Sequence, residues 1–275
     1  MQKPLISIII PTFNRLYHLA ELMESLSMQT FQDFEVLIVN DAGESVDSVK
    51  FLYPELAITI INMEENLKHV YARNSGLMQA QGELIMLIDD DDLLVPSHIE
   101  TMINELNGFD MIYSDVEIVN FQQQSNVRVP AERFLFAYEL DYEAMRNFST
   151  FVSSGCLYRK EIHETIGLFD PEVHNYWDWD FYLRVADNYR VARVAGAGVL
   201  YDFSDSNSNQ SKDFSEARRL YLDRLSEKHN LGPLPMKNFF LLLEEPEVMK
   251  RKAKSKIMWD GKSFISRLAR SAALE

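Results

Sequence analysis

The first half of the chain alternates between short, continuous apolar runs and longer segments with apolar residues at helical spacing. Continuous runs rich in β-branched residues are typical of strands that are buried on both faces. Four such runs occupy residues 5–10, 34–39, 57–61 and 83–88. Helical spacing appears around them, in residues 15–28, 69–80 and 96–106. This alternation predicts an α/β fold with a mostly parallel central sheet and helices on both faces.

The second half of the chain has a less regular pattern. Strands are predicted at residues 110–121, 189–196 and 198–203, and helices at 177–188 and 213–230. The segment SDSNSNQSKD, before the last of these helices, is rich in Ser, Asp and Asn and is predicted to be a mobile loop. The sequence GPLP then separates residues 1–231 from a helical C-terminal extension, residues 232–275.

Three polar clusters fall at the carboxyl ends of predicted strands. PTFNR begins at Pro11, NDAGES at Asn40 and DDDD at Asp89. Parallel sheets bind ligands in the crevice beyond the carboxyl ends of their strands. The three clusters are therefore expected to form one composite site.

Composition and charge narrow the functional classes. Hydrophobic residues make up 47% of the chain, which supports a sizeable core and argues against disorder. The formal net charge of −15 argues against a nucleic-acid partner, although a divalent cation would still allow an anionic substrate. The single cysteine, Cys156, is predicted to be a core thiol and fits a reducing compartment. Because no segment resembles a signal peptide or a membrane span, the expected location is cytoplasmic.

The four consecutive aspartates, Asp89 to Asp92, allow two interpretations. Mg²⁺ or Mn²⁺ is typically held by one or two carboxylates together with substrate phosphates, which would explain the accumulated charge. A solvated acidic turn before a helix is the alternative. If strand alternation continues through the run, Asp89 and Asp91 point to one side and Asp90 to the other. Asp92 is expected only to lead into the following turn.

Several motifs of other enzyme classes are absent. The sequence has no G-x-G-x-x-G after its first strand, no G-x-x-x-x-G-K-[ST] loop and no G-x-S-x-G elbow. These absences disfavour dinucleotide binding of the Rossmann type, most ATPases and GTPases, and hydrolases with a nucleophile elbow.

The chain resembles the family 2 glycosyltransferases, which have the nucleotide-diphospho-sugar transferase (GT-A) fold. The matching pieces occur in the family's order: SIIIPTFNR, EVLIVNDAGES, ARNSGLMQAQGELIMLIDDDDLL, SSGCLYRKEIHETIGLFDP and WDWDFYLRVA. The resemblance implies a GT-A domain in residues 1–231, with a nucleotide-sugar-binding half at 1–119 and an acceptor-binding half at 120–231. Asn40 and Ala42 depart from the family's usual DDGS, which affects the contacts expected for the base.

The resemblance also implies roles for individual residues. Mn²⁺ or Mg²⁺ would be bound by Asp91, with Asp89 in support. The general base would be Asp178, although an aspartate that caps the following helix is the simpler interpretation without the resemblance. Trp177, where the family often has Glu, and Trp179 would give this base apolar surroundings. Nucleotide binding is assigned to Pro11, Thr12, Asn14, Asp41, Arg73, Asp89 and Asp90.

These features predict an inverting glycosyltransferase. It would move a sugar from a nucleotide-diphosphate donor to an acceptor hydroxyl, with UDP as the family's commonest nucleotide. The acceptor would be a saccharide or a lipid-linked molecule, in cell-surface polysaccharide or glycolipid synthesis. Two alternatives stay open: a nucleotidyltransferase that makes the activated sugar, and a non-catalytic nucleotide-sugar-binding module. The lack of a glycine-rich loop after the first strand weighs against the nucleotidyltransferase.

The C-terminal extension is basic, unlike the rest of the chain. From Met249 onward it carries eight basic residues against two acidic ones, with apolar residues between them. A basic amphipathic helix can lie on an anionic membrane surface, which would place the protein at the inner face of the membrane. The alternative is that these helices pack on the acidic body of the protein or against a second copy in a homodimer.

Overall fold

The computed structural model describes residues 3–124, 126–204, 216–236 and 243–272. Apart from Ser204, the predicted mobile loop lies outside the described residues, as do the first three residues of the predicted helix 213–230. In the part of the chain that is described, ten strands form one sheet with helices packed on both faces, which confirms the predicted fold class.

The N-terminal half of the sheet is parallel. Its strands are β1 (Ile6–Thr12), β2 (Phe34–Asn40), β3 (Ala57–Asn62) and β4 (Leu84–Leu87), in the order β3-β2-β1-β4. Three helices connect them: α1 (Leu16–Ser27), α2 (Ser48–Leu52) and α3 (Lys68–Gln79). The four strands and the helices α1 and α3 lie where the hydrophobic pattern predicts them, whereas the short helix α2 was not predicted.

Side chains of β1 alternate between two cores, which explains why its apolar run is continuous. Ile8 and Ile10 pack with α1 on one face, whereas Ile9 packs with α3 on the other. Gly76 allows α3 to lie close to the sheet, because a Cβ at this position would be 2.6 Å from Cγ2 of Ile9. Helix α3 therefore begins beside the carboxyl end of β2, where the backbone N–H of Lys68 meets Asp41.

The second half of the sheet is mixed. Its strands are β5 (Leu93–Leu94), β6 (Met111–Gln124), β7 (Val127–Phe136), β8 (Leu157–Arg159) and β9 (Val191–Asp202). Its helices are α4 (His98–Glu105), α5 (Tyr142–Met145), α6 (Ile162–Ile166), a 3₁₀ helix (Pro171–Tyr176), α7 (Trp177–Ala186) and α8 (Glu216–His229). Antiparallel β8 joins β4 to β6, so that both halves share one sheet.

Two features of this half differ from the prediction. The two strands predicted at 189–196 and 198–203 form the single strand β9, which stays paired with β6 through two register shifts near Asp115. Gly198 lies inside this strand, where it leaves room for the ring of His98 instead of forming a turn. The hairpin of β6 and β7 was not predicted, because β7 lacks the continuous apolar pattern of a buried strand.

The described part of the C-terminal extension packs on the body of the protein. It contains α9 (Pro246–Lys250), α10 (Arg267–Ala272) and a short strand, β10 (Lys256–Ile257), which pairs with β9 and completes the order β10-β9-β6-β8-β4-β1-β2-β3. Trp259 and Phe264 join the hydrophobic core. Arg267 binds Glu55, and Arg270 binds Glu24 at 3.1 Å. Basic side chains of this segment thus lie on the acidic N-terminal half, as one of the two alternatives predicted.

Among the described residues, no helix has the length and apolar character that a membrane crossing requires.

Candidate active site

A cavity of about 560 Å³ opens at the carboxyl ends of β1, β2 and β4. The polar clusters that follow these strands line it, as the sequence predicted, and the first residues of α7 contribute a further wall. Eight of the predicted site residues face this cavity: Pro11, Thr12, Asp41, Arg73, Asp89, Asp90, Asp91 and Asp178. The structure therefore brings together the predicted base, metal ligands and nucleotide-binding residues.

Asn14 is the predicted site residue that does not line the cavity. Its backbone has a positive φ of 56°, a conformation that Asn tolerates better than most residues. Its Oδ1 accepts a hydrogen bond from the backbone N–H of Glu44 at 2.8 Å. Asn14 thus ties the loop after β1 to the loop after β2, and its predicted contact with the nucleotide stays a prediction.

Asp41 lies at the carboxyl end of β2 and caps the start of α3. Its two carboxylate oxygens accept hydrogen bonds from the backbone N–H groups of Leu67 and Lys68, both at 2.8 Å. A carboxylate at a helix N-terminus is also favoured by the helix dipole. Asp41 therefore positions the beginning of α3, and its predicted contact with the base or ribose stays a prediction.

The first three aspartates of DDDD are bound by two arginines. Arg73 pairs with Asp89. Arg15 pairs with both Asp90 and Asp91, at 3.2 and 2.7 Å. The predicted alternation of side chains is therefore wrong, because β4 ends at Leu87 and the chain turns at residues 90 and 91 instead of continuing as a strand.

Asp92 has a structural role that the sequence did not predict. It is buried, its Oδ1 accepts a hydrogen bond from the backbone N–H of Asp202 at 2.9 Å, and its Oδ2 accepts one from Ser154. The hydroxyl of Ser154 also accepts a hydrogen bond from the backbone N–H of Asp89, at 3.2 Å. The fourth aspartate thus anchors the turn that presents the other three.

The electrostatics of this turn favour a bound cation. Burial and the neighbouring carboxylate of Asp90 raise the pKa of Asp91 to about 7. Burial also raises the pKa of Asp90, although Arg15 acts in the opposite direction. A divalent cation would relieve this crowding of carboxylates, and oxygen is the ligand atom that Mg²⁺ and Mn²⁺ prefer.

The donor set fits a metal that is shared with a substrate. Among the described residues, no three Asp, Glu, His or Cys side chains are placed to hold a metal by themselves. Mg²⁺ is commonly bound through one or two carboxylates, with substrate phosphates completing its coordination. Asp89 and Asp91 line the cavity and offer carboxylates of this kind.

Asp178 lies in the first turn of α7 and faces the same cavity. Burial raises its pKa to about 6, and the negative charge of Asp89 adds to this effect while Arg73 opposes it. The N-cap position belongs to Tyr176, so Asp178 is not the capping residue that the simpler interpretation expected. Trp177 and Trp179, its neighbours in the sequence, are both buried, and the apolar surroundings expected for the base stay a prediction.

Asp180, two residues further along α7, has a different environment. It is fully buried and accepts contacts from Arg184, Lys228 and His229, each at 2.8 Å. The contacts of Lys228 and His229 join α8 to α7, whereas Arg184 lies on α7 itself. Of the two aspartates in WDWDF, Asp180 holds the structure together and Asp178 faces the cavity.

Sequence reasoning missed several residues of the site. Arg15 is the last residue of PTFNR, so its place in a polar cluster after a strand was a usable signal. Lys68 and His69 also line the cavity, at the start of α3, but no motif marked them. A further wall comes from the loop before β8 and from α8: Asn147, Phe148, Ser149, Phe151, Val152, Ser153 and Leu222.

Cys156 takes no part in the site. It is fully buried, and burial raises the pKa of its thiol to about 12. The thiol is therefore protonated at neutral pH, which confirms the prediction of a core residue.

The chain is similar in sequence to known glycosyltransferases. The sequence pattern of the family described as Glycosyl transferase family 2 matches residues 7–167. A protein of Bacillus subtilis (strain 168) named uncharacterized glycosyltransferase YwdF is 58% identical over 266 residues, which are 97% of this chain and 99% of that protein.

Solved structures confirm the GT-A fold. A crystal structure of S. aureus TarS 1-349 in complex with UDP-GlcNAc has a TM-score of 0.63 at 20% identity and covers 81% of this chain and 66% of its own. The mannosyltransferase PcManGT from Pyrobaculum calidifontis, in complex with GDP-Man and Mn²⁺, has a TM-score of 0.54 at 15% identity and covers 91% of this chain and 83% of its own.

Proposed function

The chain belongs to glycosyl transferase family 2 and is a glycosyltransferase, and on this premise we propose that it moves a sugar from a UDP-linked donor to an acceptor hydroxyl with inversion at the anomeric carbon. The observation that carries the proposal is the placement of Asp178 on the same cavity as Asp89 and Asp91. One carboxyl there has the surroundings of a base, and the others form an anionic turn suited to a cation.

Asp178 is the proposed general base. A base is most effective when its pKa lies near the working pH, and burial brings that of Asp178 to about 6. Its carboxylate would accept the proton of the acceptor hydroxyl as that oxygen attacks the anomeric carbon from the face opposite the diphosphate.

Asp91, with Asp89 in support, would hold Mn²⁺ or Mg²⁺ together with the donor diphosphate. Such a metal, when bound, neutralises the charge that develops on the departing diphosphate. Arg15 and Arg73 already contact this turn, so the chain also provides fixed positive charge on the same side of the cavity.

The nucleotide is assigned to the β1 and β2 side of the cavity. Pro11 and Thr12 end β1, and Asp41 follows β2, which makes this the part of the cavity nearest the parallel strand ends. UDP is proposed as the nucleotide because TarS, which shares the fold, was crystallised with UDP and with UDP-GlcNAc. A divalent metal has similar support from the PcManGT complex, which contains Mn²⁺.

The acceptor is assigned to the other part of the cavity. Phe148, Phe151 and Val152 give that wall an apolar character, which suits a saccharide joined to a lipid or another apolar group. The proposed process is cell-surface polysaccharide or glycolipid synthesis at the inner face of the membrane.

A donor panel tests the proposal. Purified protein is incubated with UDP- and GDP-sugars, with Mn²⁺, Mg²⁺ or EDTA, and nucleotide diphosphate release and the melting temperature are measured. We expect one UDP-sugar to stabilise the protein in the presence of metal, because a ligand that binds only the folded state raises its stability. NMR of the product made with a suitable acceptor would show the inverted anomer. Undiminished release of nucleotide diphosphate in EDTA, or a product that keeps the anomeric configuration of the donor, would contradict the mechanism.

A further inference from the structure

Arg128, on β7, extends from the hairpin of β6 and β7 into the interior next to the aspartate turn. Its side chain is 5% exposed. Its backbone N–H and its Nε bind the carboxylate of Glu21, at 3.2 and 2.5 Å. Its Nη1 binds the carboxylate of Asp202 at 2.7 Å and the backbone carbonyl of Asp91 at 2.8 Å. One buried guanidinium thus joins α1, the end of β9 and the turn.

The contact with Asp91 is made to its backbone and not to its side chain. This carbonyl belongs to the peptide group between Asp91 and Asp92, in the middle of the turn. A hydrogen bond that holds this peptide group restricts the backbone dihedrals of Asp91 and therefore the direction in which its carboxylate points. The carboxylate itself lies on the cavity side, where it meets Arg15.

Asp92, the next residue of the turn, is also connected to Arg128, through Asp202. The backbone N–H of Asp202 donates to Asp92, and the carboxylate of Asp202 accepts from Arg128. Asp202 therefore connects the side chain of Asp92 with the guanidinium that binds the Asp91 carbonyl. Because Arg128 and Asp202 are both buried, little solvent is available to replace these hydrogen bonds if one partner is removed.

We propose that Arg128 is a positioning residue, which sets the direction of the Asp91 carboxylate toward metal and diphosphate without contacting either. The proposal rests on the proposed function of the site. A planar guanidinium can bind the Glu21 carboxylate, the Asp202 carboxylate and a carbonyl at once, whereas the single ammonium of lysine cannot. Loss of a group that orients a metal ligand typically lowers metal affinity about 10-fold to 100-fold.

Arg128→Lys tests this role, because it keeps the charge and removes the planar fork. Two measurements are made on the full chain: binding of Mn²⁺ in the presence of UDP, followed by electron paramagnetic resonance of free Mn²⁺, and hydrogen exchange of the backbone amides in residues 88–95. We expect Mn²⁺ affinity to fall about 10-fold or more and these amides to exchange faster. Glu21→Gln, which weakens the same network from α1, should cause a smaller change in the same direction.

Arg193→Lys is the matched control. Arg193 is also buried, with a side chain 8% exposed, and pairs with Asp115 through two hydrogen bonds of 2.7 Å, but it does not line the cavity. The Arg193→Lys variant should lose stability as Arg128→Lys does. Its Mn²⁺ affinity and the hydrogen exchange of its backbone amides in residues 88–95 should stay at the wild-type level. The proposal is overturned if Arg128→Lys and Glu21→Gln match this control in both measurements.

The two proposals fail in different ways. If the wild-type protein bound no Mn²⁺ with UDP and released no nucleotide from any donor, the proposed function would be wrong. Hydrogen exchange needs neither ligand, so it would still decide whether Arg128 holds the turn. If the wild type is active and only the exchange and affinity of Arg128→Lys are unchanged, the positioning role alone is wrong.

Discussion

The guanidinium of Arg73 stacks on the indole of Trp177, with its carbon 4.1 Å from the ring centroid, and the same guanidinium pairs with Asp89. The side chain of Arg73 is 3% exposed, whereas that of Asp89 is 36% exposed, so the guanidinium itself is buried and its carboxylate partner reaches the solvent. Trp177 directly precedes the proposed base. Arg73 thus connects the anionic turn after β4 with the start of α7, the two parts of the cavity on which transfer would depend.

Removal of the Trp177 ring should loosen Arg73. A cation–π contact is worth roughly 0.5 kcal/mol when exposed and about 2 kcal/mol when desolvated, so we expect Trp177→Leu to lower kcat/KM about 2-fold to 30-fold. Trp177→Phe keeps an aromatic face and should retain most of the activity. Steady-state kinetics of both variants checks this. Equal losses in the two variants would show that the size of the side chain, and not its π face, is what Arg73 requires.

Activity should depend on pH through Asp178. The base works when it is ionised, and burial raises its pKa to about 6, so kcat/KM should fall about tenfold per pH unit below that value and level off above it.

Asp178→Asn should lower kcat by roughly 10²–10⁴ and leave the stabilisation by donor and metal in place. A pH profile from 4.5 to 8.5 and thermal melts provide the measurements.

Asp180→Asn serves as the comparison for that experiment. It removes a buried charge that Arg184, Lys228 and His229 contact, so it should lower the melting temperature clearly. Its pH profile should keep the wild-type midpoint. An Asp180→Asn profile with a shifted midpoint would argue that the base has been assigned to the wrong aspartate.

The Asp91 carboxylate is expected to reduce stability when no cation is bound. Its pKa in the folded protein is about 7 against an ordinary value of 3.8, so the folded state holds this proton more tightly than the unfolded state. The stability linked to this group is present at low pH and is lost as the pH rises through about 7. Asp91→Asn should therefore raise the melting temperature at pH 8, and less so at pH 4.5, while it abolishes stabilisation by Mn²⁺ with UDP. Thermal melts at both pH values, with and without metal, check this.

The contact of α10 with the N-terminal half should contribute to stability. Arg267 binds Glu55, donates to the carbonyl of Leu52 at 2.7 Å, and lies 4.6 Å from the ring centroid of Tyr53. We expect Arg267→Ala to cost about 1–2 kcal/mol of unfolding free energy. Lys262→Ala, which removes a surface pair with Asp260, should stay within about 0.5 kcal/mol of wild type. Urea denaturation of both variants gives the comparison, and equal midpoints would count against a stabilising role of α10.

Much of the fold could be predicted because its signals are local. The apolar runs of β1, β2 and β4 are continuous, since those strands are buried on both faces. Strand β7 was not predicted, and β9 was predicted as two strands instead of one. Both depend on pairing with β6, and the local sequence pattern carries no information about that pairing. In the same way, Lys256 and Ile257 of the basic extension form strand β10 only because they pair with the edge of β9.

The sequence by itself determined that DDDD follows a buried strand, beside the polar clusters that follow two others, and that WDWDF occurs further along. Position along the chain is enough for this, since parallel strands end at one edge of the sheet. Only the tertiary structure decided which partners each of the four aspartates binds, and therefore how their roles differ. Arg15, Arg73, Arg128, Ser154 and Asp202 reach the turn from distant parts of the chain. Hydrogen bonds of a buried carboxylate depend on which groups folding brings within about 3 Å, and sequence spacing does not encode that distance.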